Sequence, residues 1–405
     1  MANDKKKCSI SGAEYEIGSF ADIIHSIIEA KDDAELKLQI DQLRSHLGIQ
    51  QLQSYTNGAL SEFVDHFGIR LKSIDQWTPQ WIFEIGKWNL LGQVLVVPLH
   101  AFKWAEKLWK ALYKLLCELQ SSKGRIHKGT PLHNMGWVNL LQGNQLSMTR
   151  SQLFIKLAMI EDVLTDESTY KSTPAYRMLI GEHNIPALRL EELAKHVSEY
   201  KKKGDFMIPE LVYLDYVIDP SHQERTSSWD FDEIIAAQLI QAVLDAKDVN
   251  SKGNSLELLM AYLFLSSQGF EVLKRRARTF DSEIDLIIRN LDNDEPARHE
   301  LGQYILVECK NTVDKVEAKT VRDFSMKVMA SSCNSGILIS KEGISGDNKK
   351  DAARDAILTI IKIHQRHDVV IVPISLDEIQ DAIKKQIPFE QILISVYEKT
   401  RFEMS

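Results

Sequence analysis

Between Ile17 and about Gly48, apolar residues recur every third or fourth position, and the period predicts two short helices broken near Lys31 to Ala34. A further helical tract is expected over Leu60 to Phe67. After it come segments rich in tryptophan, then a long helix on which Phe102, Ala105, Leu108, Leu112, Leu115 and Leu119 trace one stripe. Such stripes pack cores, so Trp77, Trp81, Trp88, Trp104 and Trp109 read as helix-packing residues. A glycine-containing polar loop, Ser121 to Thr130, precedes a helical hairpin over Pro131 to Asp162 that turns at Gly143-Asn144. Shorter helical pieces follow, punctuated by Pro174, Pro186, the Lys201 to Gly204 run and Pro209. No strand is evident between Ile17 and Gly48.

The pattern changes after the polar stretch Lys247 to Asn254, where the domain boundary is placed, giving domains 1–246 and 247–405. Beyond it the sequence predicts a helix over Asn254 to Gln268, stopped by Gly269, and strands over Phe270 to Lys274, Glu283 to Arg289 and Gln303 to Lys310. A helix over Glu317 to Ser331, a strand over Ser335 to Ser340, a helix over Asn348 to Arg366, a strand over Val369 to Ile374 and two final helical pieces complete the order. The fold class expected is an α/β C-terminal domain, a mixed central sheet flanked by helices, joined to a mostly α-helical N-terminal domain.

Composition adds three constraints. A chain of 405 residues exceeds what one core usually holds. The net charge is −8, and residues 251–405 carry 22 Lys and Arg against 24 Asp and Glu, so contact with nucleic acid would need local basic patches. Cys8, Cys117, Cys309 and Cys333 lie far apart without zinc spacing and read as reduced thiols. The most apolar window, Trp81 to Leu99, contains Glu84 and Lys87, charges costly in a bilayer and ordinary on an amphipathic helix. A soluble, cytoplasmic protein is expected.

Chemistry concentrates between Leu256 and Lys310. In a strand, residues two apart share a face, so Glu308 and Lys310 look into one cleft, and Glu283 shares a face with Asp285. Asp285 sits between Ile284 and Leu286, and Glu308 follows Ile305, Leu306 and Val307. Carboxylates on such buried strands require a compensating cation or metal. Glu257 lies one turn into the preceding helix, and Lys274, Arg275, Arg276 and Arg278, between the first two expected strands, form the local basic run suited to backbone phosphates. Lys349, Lys350 and Arg354 are weaker basic candidates.

Gly253, Glu257, Gly269-Phe270-Glu271-Val272, Ile284-Asp285-Leu286, Leu306-Val307-Glu308-Cys309-Lys310-Asn311, Arg322-Asp323-Phe324 with Lys327, and Gly336-Ile337-Leu338-Ile339-Ser340 resemble the PD-(D/E)XK nucleases, and within them the Mrr-like restriction endonucleases. Departures are Phe280-Asp281-Ser282-Glu283, where relatives often carry glycines, and Glu308, where many carry Gln. The resemblance implies a magnesium- or manganese-dependent endonuclease cutting DNA, of the kind used in restriction or antiviral defence. It assigns Asp285, Glu308, the Cys309 carbonyl and Glu257 to the metal, and Asp285, Glu308, Lys310 and Glu257 to catalysis. One alternative is a nuclease acting on RNA, or on branched DNA as related resolvase-like members do, and the alternative from another class is a catalytically silent nucleic-acid-binding or scaffold protein of a defence complex. Double-strand cutting by a one-site protomer implies a homodimer or higher homo-oligomer. The hairpin over 131–162 resembles one tetratricopeptide unit, and the helical half is expected to sense a signal, dock a protein partner or oligomerise.

Overall fold

The computed structural model describes residues 5–7, 14–16, 20–46, 63–97, 100–123, 125–204, 208–218, 231–267, 269–278, 283–291, 301–346 and 355–403. The chain divides into two compact units, 1–202 and 203–405. Among the described residues, no helix is long and apolar enough to cross a membrane.

The first unit is helical, as the periodicity predicts, with the early break realised between Phe20–Glu29 and Asp33–His46. Ahead of that periodic tract, Lys5–Lys7 and Glu14–Glu16 pair as a short antiparallel ribbon. The tryptophans behave as core: Trp81, Trp88 and Trp109 are fully buried, and the Trp88 indole N–H donates to the Leu108 carbonyl at 2.8 Å. Trp77, by contrast, is exposed and precedes its helix. Glu84 and Lys87, the charges that interrupt the most apolar window, are buried. The Lys87 ammonium sits 3.0 Å from Glu84 and donates to the carbonyls of Ile28 and Ala30 at 2.9 Å each. Arg70 also donates to Ile28. These cations satisfy carbonyls at the end of Phe20–Glu29 that no further helical turn can reach. The hairpin forms from Gly129–Gln142 and Gln145–Thr165; Gly143 takes φ +70° at the turn and Asn144 caps the second helix by accepting from the Ser147 N–H.

The second unit begins with α1 (Pro209–Ile218) and α2 (Glu233–Asp245), so the compact unit starts upstream of the polar stretch at Lys247. That stretch is itself the start of α3 (Val249–Leu265): the Asp248 side chain accepts the Ser251 N–H and begins the helix about one turn earlier than periodicity indicates. A five-stranded mixed sheet follows, β1 (Phe270–Arg278), β2 (Glu283–Asn290), β3 (Tyr304–Lys310), β4 (Ser335–Ser340) and β5 (Val370–Ser375), in that spatial order. The first three strands are antiparallel to one another and the last three parallel, connected through α4 (Ala318–Ala330) and α5 (Ala356–His367). The chain ends in α6 (Leu376–Lys384) and α7 (Phe389–Glu398). Lys349, Lys350 and Arg354 lie outside the described residues.

Both faces of the inner strands are buried, as expected where crossover helices cover a parallel sheet. On one face Leu306 and Leu338 join Val321, Phe324 and Val328 of α4 and Ile360 of α5 in one apolar cluster. Phe264 of α3 packs edge-on against Phe270 of β1 and Phe389 of α7. Gly336 lets α4 lie close to β4, because a Cβ there would come within 2.6 Å of Val328 Cγ2 and 2.8 Å of Phe324 Cζ. Gly336→Ala is therefore expected to destabilise the protein by about 1–3 kcal/mol. Urea unfolding checks this, and a variant as stable as the wild type would contradict the close approach.

Candidate active site

Three strand ends and two helices build the site. The β2–β3 ladder runs from Arg289 opposite Tyr304 to Leu286 opposite Val307. One step further, Asp285 and Glu308 share a face, but the backbone ladder has ended. The Asp285 carboxylate takes its place: Oδ2 accepts the Cys309 N–H at 2.6 Å. A strand residue directs its N–H and C=O to the same neighbour, so the Cys309 carbonyl opens toward Asp285 as well. The Cys309 thiol is buried, and burial together with the neighbouring carboxylates holds its pKa well above the ordinary value, leaving the backbone as that residue's contribution.

Glu308 is nearly buried and held on both oxygens. Lys310 donates to Oε1 at 2.7 Å and Lys327, from α4, donates to Oε2 at 2.9 Å. The Lys327 ammonium also donates to the Glu283 carbonyl at 2.7 Å. Burial alone would lower the pKa of Lys310, yet Glu308 and, behind it, Asp285 raise it above the ordinary lysine value, so this ammonium stays charged. Asp285 is in the opposite position. Burial, reinforced by the charge of Glu308, pushes it up to about 6, while the Cys309 N–H and the two lysines act against that rise.

Glu257 reaches the same neighbourhood from α3, yet its carboxylate is engaged elsewhere. Arg276 donates to it through Nε at 2.9 Å and Nη2 at 3.4 Å, and Arg275 lies 3.7 Å away. Burial pushes Glu257 up to about 7, opposed by Arg276 and reinforced by Asp285 and Glu283. Arg276 adopts φ +51°, a conformation costly for a residue with a Cβ, at the point of β1 flanked by the Arg275–Leu286 and Ala277–Ile284 pairs. The two-toothed contact with Glu257 accompanies that strain.

The basic run lies within β1 and not in a connection beyond it, since β1 extends four residues past Lys274 across a bulge between Val272 and Lys274. Alternation then separates its members. Lys274, Arg276 and Arg278 are exposed, with Arg278 at 88%. Arg275 turns inward, paired with Asp215 of α1 and bonded to Asn254 of α3. Its guanidinium ties helices to the sheet and is not offered to solvent.

The structure thus brings together Asp285, Glu308, Lys310 and the Cys309 backbone, places Glu257 beside them on an arginine, and leaves the Glu283 side chain exposed with Arg278 as its partner. Lys327 completes the group. The sequence assigned it no role, although its place beside Phe324 and Val328 on a helix following the Glu-x-Lys strand was the available signal. Asn311, next after Lys310, fixes the end of β3 by donating to the Val243 and Lys252 carbonyls at 3.2 and 3.1 Å.

The donor set accommodates one hard divalent cation. Asp285 has an oxygen without a hydrogen-bond partner among the described residues and a charge that burial disfavours, and Glu308 and the Cys309 carbonyl lie beside it. Among the described residues, no three His, Cys, Asp or Glu side chains group as metal ligands, so an ion held here would draw on Asp285, Glu308 and the Cys309 carbonyl.

Residues 250–367 match the family model of the Mrr catalytic domain, described as a restriction endonuclease. The match lies within the second unit and spans β1 to α5. No curated protein and no solved structure matches the chain. The second unit therefore contains a restriction-endonuclease-like domain of the PD-(D/E)XK type, with its mixed sheet flanked by helices.

The raised Asp285 pKa has a consequence for stability. Between the ordinary carboxylate range and about 6, the folded chain retains a proton that the unfolded chain has released, so stability falls as pH rises through that window. Above it the full cost of the buried charge is present. In chelator-treated buffer, Asp285→Asn is expected to be more stable than wild type by roughly 1–3 kcal/mol at pH 8 and about equal at pH 4. Urea melts across this range measure the difference, and an absence of gain at pH 8 would contradict the burial penalty.

Proposed function

We propose that the second unit is a metal-dependent endodeoxyribonuclease that hydrolyses DNA phosphodiester bonds using magnesium or manganese. The observation carrying this reading is the convergence of Asp285, the Glu308–Lys310 pair and the Cys309 backbone where β2 and β3 part. A bound divalent ion would polarise the scissile phosphate and acidify a water. Asp285, Glu308 and the Cys309 carbonyl are the residues to hold it. Lys310, charged and about one-third exposed, is placed to orient the attacking water or to offset charge gathering on the phosphate oxygens. Glu257 serves the reaction indirectly, by fixing Arg276 at the mouth of the site.

Lys274, Arg276 and Arg278 project from one side of β1 and form the backbone-phosphate contact of the reading, which a chain of net charge −8 needs locally. DNA is favoured over RNA by the restriction-endonuclease match. The same match is compatible with a role in restriction or antiviral defence; the reading adds action in the cytoplasm and a first unit that senses a signal, docks a partner or joins copies of the chain. Cutting both strands with one site per chain calls for a homodimer or larger assembly.

Two measurements test the proposal. With supercoiled plasmid and Mg²⁺, Asp285→Ala and Lys310→Ala should each lower the cleavage rate by at least about 100-fold, and chelation should abolish it. Equal cutting by wild type and both variants would remove the site from this assignment. Separately, a Lys274→Glu/Arg278→Glu double variant should bind duplex DNA more weakly, with the slope of log affinity against log salt flattened by about 2. Unchanged salt dependence would take β1 out of the interface.

A further inference from the structure

Each Glu308 oxygen already accepts an ammonium, so a metal ion arriving there competes with a lysine for the carboxylate. The two lysines are not equivalent competitors. Among the described residues, Glu308 is the one hydrogen-bond partner of the Lys310 ammonium, whereas Lys327 has a second, the Glu283 carbonyl at 2.7 Å. Losing the carboxylate would strip Lys310 of its partner. Lys327 would keep one and stay in place.

The anchoring of Lys327 supports the same assignment. Its helix is seated by Phe324 and Val328, both buried, against a strand made accessible by Gly336. The backbone of α4 is thus seated on the sheet while the ammonium, on a side chain 21% exposed, lies between Glu308 and the Glu283 carbonyl. The fully buried lysines elsewhere, Lys87 and Lys128, have no such opening.

We propose that Lys327 is an exchangeable counter-ion: its ammonium occupies Glu308 until a divalent cation takes that oxygen, and the released ammonium, held by the Glu283 carbonyl, then faces the scissile phosphate. This rests on the nuclease reading for its second half only. The first half is a competition between two cations for one carboxylate, and such competition has a sign that a merely structural lysine lacks. Removing the ammonium should strengthen metal binding while weakening cleavage.

The test uses the full chain and Mn²⁺ alone, by titration calorimetry, beside plasmid cleavage. Lys327→Met is expected to bind Mn²⁺ about fivefold more tightly than wild type and to cut at least about 30-fold more slowly. Lys327→Arg keeps the charge and should return Mn²⁺ affinity toward wild type, which also guards against misfolding of the methionine variant. Unchanged or weaker Mn²⁺ binding by Lys327→Met, with the arginine variant folded and like wild type, would overturn the exchange. Undiminished cutting by Lys327→Met would overturn the phosphate contact. A wild type that binds Mn²⁺, shows the affinity gain on Lys327→Met and cuts no nucleic acid would instead discard the nuclease reading and keep the exchange.

Discussion

A carboxylate held between two ammonium groups is the interaction on which the second unit's chemistry depends. Glu308 stands near the end of a strand buried on both faces, where an uncompensated charge would cost several kcal/mol, and Lys310 and Lys327 remove that cost from two directions. The surrounding architecture makes the arrangement possible. Gly336 allows α4 to approach the sheet and deliver Lys327, Asn311 pins the end of β3 to α2 and α3, and the end of the β2–β3 ladder frees the Cys309 N–H for Asp285.

The same physics appears in the first unit with a different outcome. Lys87 pairs with Glu84, and Lys128 lies 3.0 Å from Glu161, with all four side chains at 0–1% exposure. Those pairs spend their remaining hydrogen bonds on the protein: Lys87 on two helix-end carbonyls, Lys128 on Gln120 and Ile126. They lock helices together and are closed to solvent. Around Glu308 the lysines are 32% and 21% exposed. A buried acid whose counter-charges remain within reach of solvent can exchange them for a ligand's charge, and one whose counter-charges are sealed cannot. Accessibility of the cations, more than the presence of ion pairs, separates the candidate site from structural pairs.

Much of this was legible along the chain. Period-two alternation in Glu283 to Arg289 and the apolar run before Glu308 were enough to place Asp285, Glu308 and Lys310 on neighbouring strands, because those patterns are local. What sequence could not show depended on three-dimensional partners. Arg275 and Arg276 are adjacent and chemically alike, yet one is buried against Asp215 and the other turns through φ +51° to Glu257. Nothing in the run Lys274 to Arg278 distinguishes them until α1 and α3 are in place. Glu84 and Lys87 posed the converse problem: an i, i+3 pair looks like a solvated face until the carbonyls of another helix need donors. Lys327 was visible but unassigned, since its partner lies nineteen residues upstream and across a helix–sheet interface.

Counting charges around the site shows where an ion's influence would fall. Glu257 has Arg276, and Glu308 has two lysines. Among the described residues, Asp285 alone of the three has no cation at hydrogen-bond distance; its one hydrogen-bond partner there is a neutral backbone N–H. Its raised pKa follows from that deficit, because burial and the neighbouring acid both disfavour its charge, and the Cys309 N–H and two more distant lysines oppose them only in part. An added divalent charge gains most beside the carboxylate that the protein has left uncompensated. An ion bound there would therefore matter most to Asp285, while Glu308, compensated in its absence, would hold it in competition with Lys327. The division of labour between the two acids follows from which of them the fold supplied with cations.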